Sequence, residues 1–169
     1  MNYHNITKDD MLNGEGLRVV LWISGCSHRC RGCQNPQTWD CKSGIQFDES
    51  AKKEIFDELS KDYIAGITFT GGDPLHQKNL ESVLDLVNEI RLSYPEKTIW
   101  LYTGYTLEQI MYPVVTDDFN PERDKLLKMR REIVKQCDVL VDGRYEEDKR
   151  DVAYHWAGST NQDRKSTRL

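Results

Sequence analysis

With 169 residues, 38% of them hydrophobic and 30% charged, the chain can form one domain with its own core. It is too short for a complete eight-stranded (β/α) barrel, which takes about 250 residues, and no apolar run approaches the roughly 20 residues that span a bilayer. A net charge of −5 has the wrong sign for a dedicated nucleic-acid binder, and Met1-Asn2-Tyr3-His4-Asn5 resembles no signal peptide, so neither nucleic acid nor membrane is an expected partner and the cytoplasm is the expected compartment.

Residues 17–24 are a continuous apolar run closed by Ser24-Gly25, which predicts a buried strand. An irregular stretch to about residue 48 follows. Ile55, Phe56, Leu59 and Tyr63 fall at helical spacing over 50–63. A second strand, Ile67-Thr68-Phe69-Thr70, stops at Gly71-Gly72-Asp73-Pro74. A helix over 77–93 carries Leu80, Val83, Leu84, Val87 and Ile90 on one face, and 98–103 is a third strand ending at Gly104. Thr106 and Gln109 form a capping-box pattern, and Asn120-Pro121 opens another helix over about 122–136. Asp138-Val139-Leu140-Val141-Asp142 is the fourth strand, closed by Gly143. Segment 114–122 reads as a surface insertion. A single domain over 1–160 is expected, with a polar, frayed tail over 161–169.

Strands alternating with amphipathic helices predict a parallel sheet in an α/β fold. Four unusual loops then share one rim, because each directly follows a strand. They are the cysteine loop, Gly-Gly-Asp-Pro, Thr103-Gly104-Tyr105 and Asp142-Gly143-Arg144-Tyr145.

The cysteine loop is the most informative of them. Cys26, Cys30 and Cys33 are spaced C-x3-C-x2-C, with Cys41 and Cys137 elsewhere. An odd count with three clustered is a poor disulfide framework. Three thiolates can hold a [4Fe–4S] cube while leaving one iron open, since such a cube normally takes four cysteines. The alternative is structural zinc with His28 or Cys41 as fourth ligand. Zinc sites usually pair two C-x2–4-C units, and here only Cys30/Cys33 forms one. Cys41, eight residues downstream, reads as a fourth cluster ligand or, in preference, as a free thiol, and Cys137 as a free thiol packed in the core.

Gly71-Gly72-Asp73-Pro74 has two compatible readings. Asp73 and Pro74 suit the N-cap and N1 of a helix. The paired glycines also let backbone approach a ligand closely.

C-x3-C-x2-C followed by Gly-Gly-Asp-Pro resembles the radical S-adenosylmethionine enzymes. Nearly the whole chain resembles, more narrowly, the anaerobic ribonucleoside-triphosphate reductase activating proteins. The resemblance rests on Met1-Asn2-Tyr3, Asn13-Gly14, Gly25-Cys26, Gly32-Cys33, Asn35, Thr38-Trp39, Gly71-Gly72-Asp73-Pro74-Leu75, Trp100, Thr103-Gly104-Tyr105, Val141-Asp142-Gly143 and Trp156-Ala157-Gly158-Ser159 with Asn161-Gln162. It implies an incomplete, open (β/α) barrel of the radical SAM type, with the cluster on the loop after strand one. It also implies a [4Fe–4S] cluster on Cys26, Cys30 and Cys33, and S-adenosylmethionine lined by Gly32, Gln34, Gly71, Gly72, Asp73 and Thr103. The implied activity is formation of a glycyl radical on the large subunit of an anaerobic ribonucleoside-triphosphate reductase. Flavodoxin or ferredoxin would supply the electron, and a homodimer or a heterotetramer with the reductase would be the assembly. Two positions depart from the pattern. Gly32 stands where an aromatic residue often precedes the last cysteine, and Gln34 stands where tyrosine is expected. Competing functions are a radical enzyme acting on a small metabolite or on another glycyl radical enzyme, and a non-catalytic zinc-binding module.

The other candidates are weaker. Trp39, Trp100 and Trp156 can shape a cavity or simply fill the core. The charge run 146–151 reads as a solvated loop.

Overall fold

The continuous apolar runs become the central strands of one sheet. The structure is a computed structural model that describes residues 1–112 and 120–166. Its strands are β1 (Asn2–Asp10), β2 (Leu17–Ile23), β3 (Ile45–Gln46), β4 (Ile64–Gly71), β5 (Thr98–Tyr102), β6 (Val139–Asp142) and β7 (Asp163–Ser166). Its helices are α1 (Glu49–Leu59), α2 (Leu80–Ser93), α3 (Leu107–Met111) and α4 (Pro121–Gln136). The sheet order is β3-β1-β2-β4-β5-β6-β7. β2, β4, β5 and β6 run parallel, while β1, β3 and β7 add antiparallel edges. The fold is therefore mixed α/β with a parallel centre.

The two faces of the sheet differ as the strand period of two requires. Val19, Leu21, Ile23, Ile67, Phe69, Ile99, Leu101 and Leu140 join one core with Ile55 and Leu59 of α1, Val83, Val87 and Ile90 of α2, and Met129 and Ile133 of α4. The alternate residues carry polar and aromatic groups: Arg18, Trp22, Thr68, Thr70, Trp100 and Tyr102. That second face floors the site.

The expected caps are present. Thr106 accepts from Gln109 N and the Gln109 side chain answers to Thr106, while Asn120 accepts from Arg123 N ahead of Pro121. Three expectations change. The helix expected over 77–93 starts at Leu80 behind Asn79, so Asp73 is not its N-cap. Asn2–Asp10, given no element by the sequence, is a strand, and the polar end is paired rather than frayed over Asp163–Ser166. Lys165 fixes that edge through Asp142 at 2.6 Å. The insertion expected over 114–122 lies outside the described residues as far as 119.

On that face, Arg18 is fully buried. It donates to Thr68 Oγ1, Glu15 O, Thr98 Oγ1, Ile67 O and Thr98 O at 2.7–3.0 Å and lies 5.3 Å from the Trp100 ring. Burial pulls its guanidinium down to about 10. Arg18→Met removes every donor and strands buried acceptors, so unfolding in denaturant should show a loss of about 3 kcal/mol. Gly66 is needed for a different reason: a Cβ there would stand 1.9 Å from Thr98 O on the neighbouring strand. Gly66→Ala should cost about 2–3 kcal/mol by forcing β4 from β5, measurable in the same way.

Candidate active site

The loops that follow β2, β4, β5 and β6 meet over the polar face of the sheet and enclose a cleft of ≈ 660 Å³. Cys26, Cys30 and Cys33, Gln34, Gly71-Gly72-Asp73, Thr103 and Tyr145 all line it. Four loops predicted to share a rim do share it, as parallel strands dictate.

The cysteine loop is pinned at both ends. Gly25 N and Cys26 N donate to Thr38 O and Trp39 O at 2.7 and 3.0 Å, which folds the returning chain beside Cys26. Cys33 N donates to Cys30 O, and Asn35 N donates to Cys33 Sγ at 3.4 Å. Burial pushes the Cys26 thiol up to about 11, against backbone hydrogen bonds from His28 and Arg29. The Cys30 thiol is also raised by burial and drawn back by the Tyr145 backbone. Such thiols stay protonated at neutral pH until a cation replaces the proton.

Asp73 organises the site more than it lines it. Its carboxylate is almost wholly buried and accepts from Leu75 N, Thr103 Oγ1 and Gly104 N at 2.8–3.1 Å, and pairs with His28 Nε2 at 2.7 Å. His28 lies inside the cysteine loop, so one carboxylate joins three of the four loops. The His28 ring sits against Gly104, where a Cβ would come within 2.4 Å of it, and packs edge-on against Tyr105 at 4.7 Å. Gly72 N and Asp73 N donate to Ile23 O and Gly25 O at 2.7 and 2.8 Å. The paired glycines thus allow close approach, but to the chain's own β2 end, where their Cβ atoms would meet backbone within 3.0 Å.

Gly32 lies off the cleft wall. A Cβ there would stand 1.9 Å from Glu147 Oε2, and Glu147 is held by the Tyr145 hydroxyl at 2.6 Å. The missing aromatic ring therefore has a local cause: Glu147 fills its space. Arg31 and Asp148 pair across the same junction at 2.5 Å. Trp39 and Trp156 form cleft walls, whereas Trp100 lies beneath, edge-on to Trp156 at 5.6 Å. Asp142 serves the scaffold, accepting from Leu107 N and from Lys165. Cys41 stands 3.7 Å from His76 Nδ1 outside the cleft, and Cys137 is core, its thiol donating to Ile133 O. The sequence does not announce the roles of His28 and Glu147, nor of loop 150–158 beyond Trp156. For His28 the available signal is its place between two cysteines.

The donor set fits a cluster. Three thiols line one cleft, the number that holds a [4Fe–4S] cube with one iron left open. Two buried polar atoms on cleft-lining side chains, His28 Nδ1 and Trp39 Nε1, also have no partner among the described residues, as expected where a bound group completes the site.

The family model for the 4Fe-4S single cluster domain matches residues 12–164, which include every residue named above from the cysteine loop to loop 150–158. A protein of Pasteurella multocida is 40% identical over 164 residues, covering 96% of this chain and 95% of its own. One of Enterobacteria phage T4 is 41% identical over 162 residues, covering 96% and 92%. One of Escherichia coli K12 is 38% identical over 164 residues, covering 96% of each. Each is named an anaerobic ribonucleoside-triphosphate reductase-activating protein. The chain belongs to that family. As a member of the activating proteins it carries a 4Fe-4S domain, and among its described residues no helix is long and apolar enough to cross a membrane.

Proposed function

We propose that the chain activates an anaerobic ribonucleoside-triphosphate reductase by generating a glycyl radical on it, with reductive cleavage of S-adenosylmethionine at a [4Fe–4S] cluster to methionine and 5′-deoxyadenosine. The observation that carries this is the meeting of Cys26, Cys30 and Cys33 with Gly71-Gly72-Asp73 in one cleft, in a chain of the activating-protein family. The sheet would then be the wall of an incomplete, open (β/α) barrel.

Cys26, Cys30 and Cys33 would hold the cluster as thiolates. Bound there, a [4Fe–4S] cluster with S-adenosylmethionine would supply one-electron cleavage of a sulfonium C–S bond, with methionine leaving and the deoxyadenosyl carbon taking the glycine α-hydrogen. Gly71, Gly72, Gln34 and Thr103 would border the cofactor. Gly32 would contribute by yielding its space to Glu147, whose carboxylate steadies the Tyr145 ring at the cleft wall. Asp73 would act by holding His28, and so the cysteine loop, in register with Thr103-Gly104. The enclosing walls, Trp39 and Trp156 among them, would keep water from the reacting atoms. Flavodoxin or ferredoxin is the proposed electron donor, and a homodimer or a heterotetramer with the reductase the proposed assembly, in the cytoplasm.

Anaerobically reconstituted protein given dithionite and S-adenosylmethionine should form 5′-deoxyadenosine in proportion to its iron. A well-loaded protein that forms none, alone or with the reductase present, would refute the proposal.

A further inference from the structure

Among the described residues, large apolar side chains exposed to water are scattered thinly except at one place. Met11, Leu12, Val152 and Tyr154 are exposed, Leu12 and Val152 at 83% and 90%, and all four line the same cleft as the three cysteines. They come from two loops far apart in sequence, the β1–β2 turn and the loop after β6.

Both loops present these residues on fixed backbone. Asp10 Oδ1 accepts from Leu12 N and Asn13 N at 2.8 Å, and Thr68 Oγ1 donates to Asn13 O at 2.8 Å. Asp151 Oδ1 accepts from Ala153 N at 2.8 Å, while the loop's base is closed by the pairing of Arg150 with Ser159. Glu15 pairs with Arg164 of β7 at 2.7 Å, which draws the first loop across the polar face of the sheet. Aspartate-capped turns holding apolar side chains in water are a contact surface waiting for a partner.

The occupant follows from the site beneath. The reaction proposed above removes hydrogen from a glycine of another protein, and that α-carbon must reach the cysteine side of the cleft. A cleft of ≈ 660 Å³ admits a short extended segment and excludes a folded domain. We infer that Met11-Leu12 and Val152–Tyr154 are two apolar lips that grip the glycine-bearing segment of the reductase by apolar side chains flanking the glycine. This rests on the proposed function, and it adds the surface by which the partner is held.

The test is the full-length, cluster-loaded double variant Leu12→Asp/Val152→Asp beside the parent, with Leu12→Met/Val152→Ile as control. Affinity for the reductase is measured anaerobically by calorimetry, and 5′-deoxyadenosine formation without reductase is measured separately. Affinity should fall at least about tenfold in the aspartate variant and stay near the parent's in the control, with iron content and reductase-independent cleavage unchanged. Unaltered affinity overturns the inference, as does a change confined to self-association, which would make a second copy of this chain the occupant. If the aspartate variant loses affinity and the parent forms no deoxyadenosine, the lips stand and the proposed chemistry falls.

Discussion

Cys30→Ala protein, reconstituted anaerobically, is expected to bind less than a tenth of the parent's iron–sulfur cluster and to form no detectable 5′-deoxyadenosine. Cys30 lies between the other two thiols in sequence and lines the cleft with them. Two thiols cannot replace three in a site that already leaves one iron without a cysteine. No nearby group can substitute: His28 is engaged with Asp73, and Cys41 lies outside the cleft against His76. The loop itself should survive, because its anchors are the backbone bonds to Thr38 and Trp39 and the His28–Asp73 contact. Unfolding of the apo-variant at the parent's denaturant midpoint, with cluster absorbance lost, is the expected pair of results. Full cluster content in Cys30→Ala would remove this cysteine from the site.

Asp73→Asn should have an effect nearly as large for another reason. The carboxylate accepts from two backbone amides and the Thr103 hydroxyl and pairs with His28, and every lone pair faces a donor. An asparagine replaces one oxygen with a donor, so whichever way the amide turns, it confronts either His28 and Gly104 or Leu75. Leaving buried groups unpaired around a former charge costs on the order of 3 kcal/mol. The loss would not be only one of stability, because His28 carries the cysteine loop. Asp73→Asn and His28→Ala are expected to share a phenotype: weakened cluster retention on gel filtration and an altered electron paramagnetic resonance line shape for what remains. Thr103→Val, which keeps the carboxylate and removes one donor, should shift both far less. Parent-like cluster retention in His28→Ala would mean that the contact does not position the cysteines.

Much of the scaffold was legible because its signals are local. Val19–Ile23 reads as an apolar run at the centre of a parallel sheet, and 67–70, 98–103 and 138–142 read as short β-branched and aromatic segments, each closed by a glycine. Thr106 with Gln109, and Asn120 with Pro121, announce helix starts within four residues. The two edges were illegible for the opposite reason. Asp163-Arg164-Lys165-Ser166 is polar at every position, as a sheet edge facing water tends to be, and its partner lies more than twenty residues away. In β1 only Tyr3 and Ile6 are buried, and register shifts break its alternation.

The site divides in the same way. The three cysteines were readable from spacing. Local sequence offers Asp73 only the role of a helix cap, and the resemblance adds a place beside the cofactor; its hydrogen-bond partners lie 45 residues back at His28 and 30 forward at Thr103. The glycine at position 32 is explained only by Glu147, which the fold brings over it from beyond β6. Contacts of that range leave no periodic trace.

The most direct measurement uses reductase labelled with glycine deuterated at the α-carbon. The protein would be incubated with it anaerobically, together with S-adenosylmethionine and dithionite, and the 5′-deoxyadenosine weighed by mass spectrometry. Deoxyadenosine heavier by the mass of one deuterium, together with a radical signal on the reductase, is the expected result. Unlabelled deoxyadenosine formed alongside that radical would contradict direct transfer of hydrogen from glycine in the cleft.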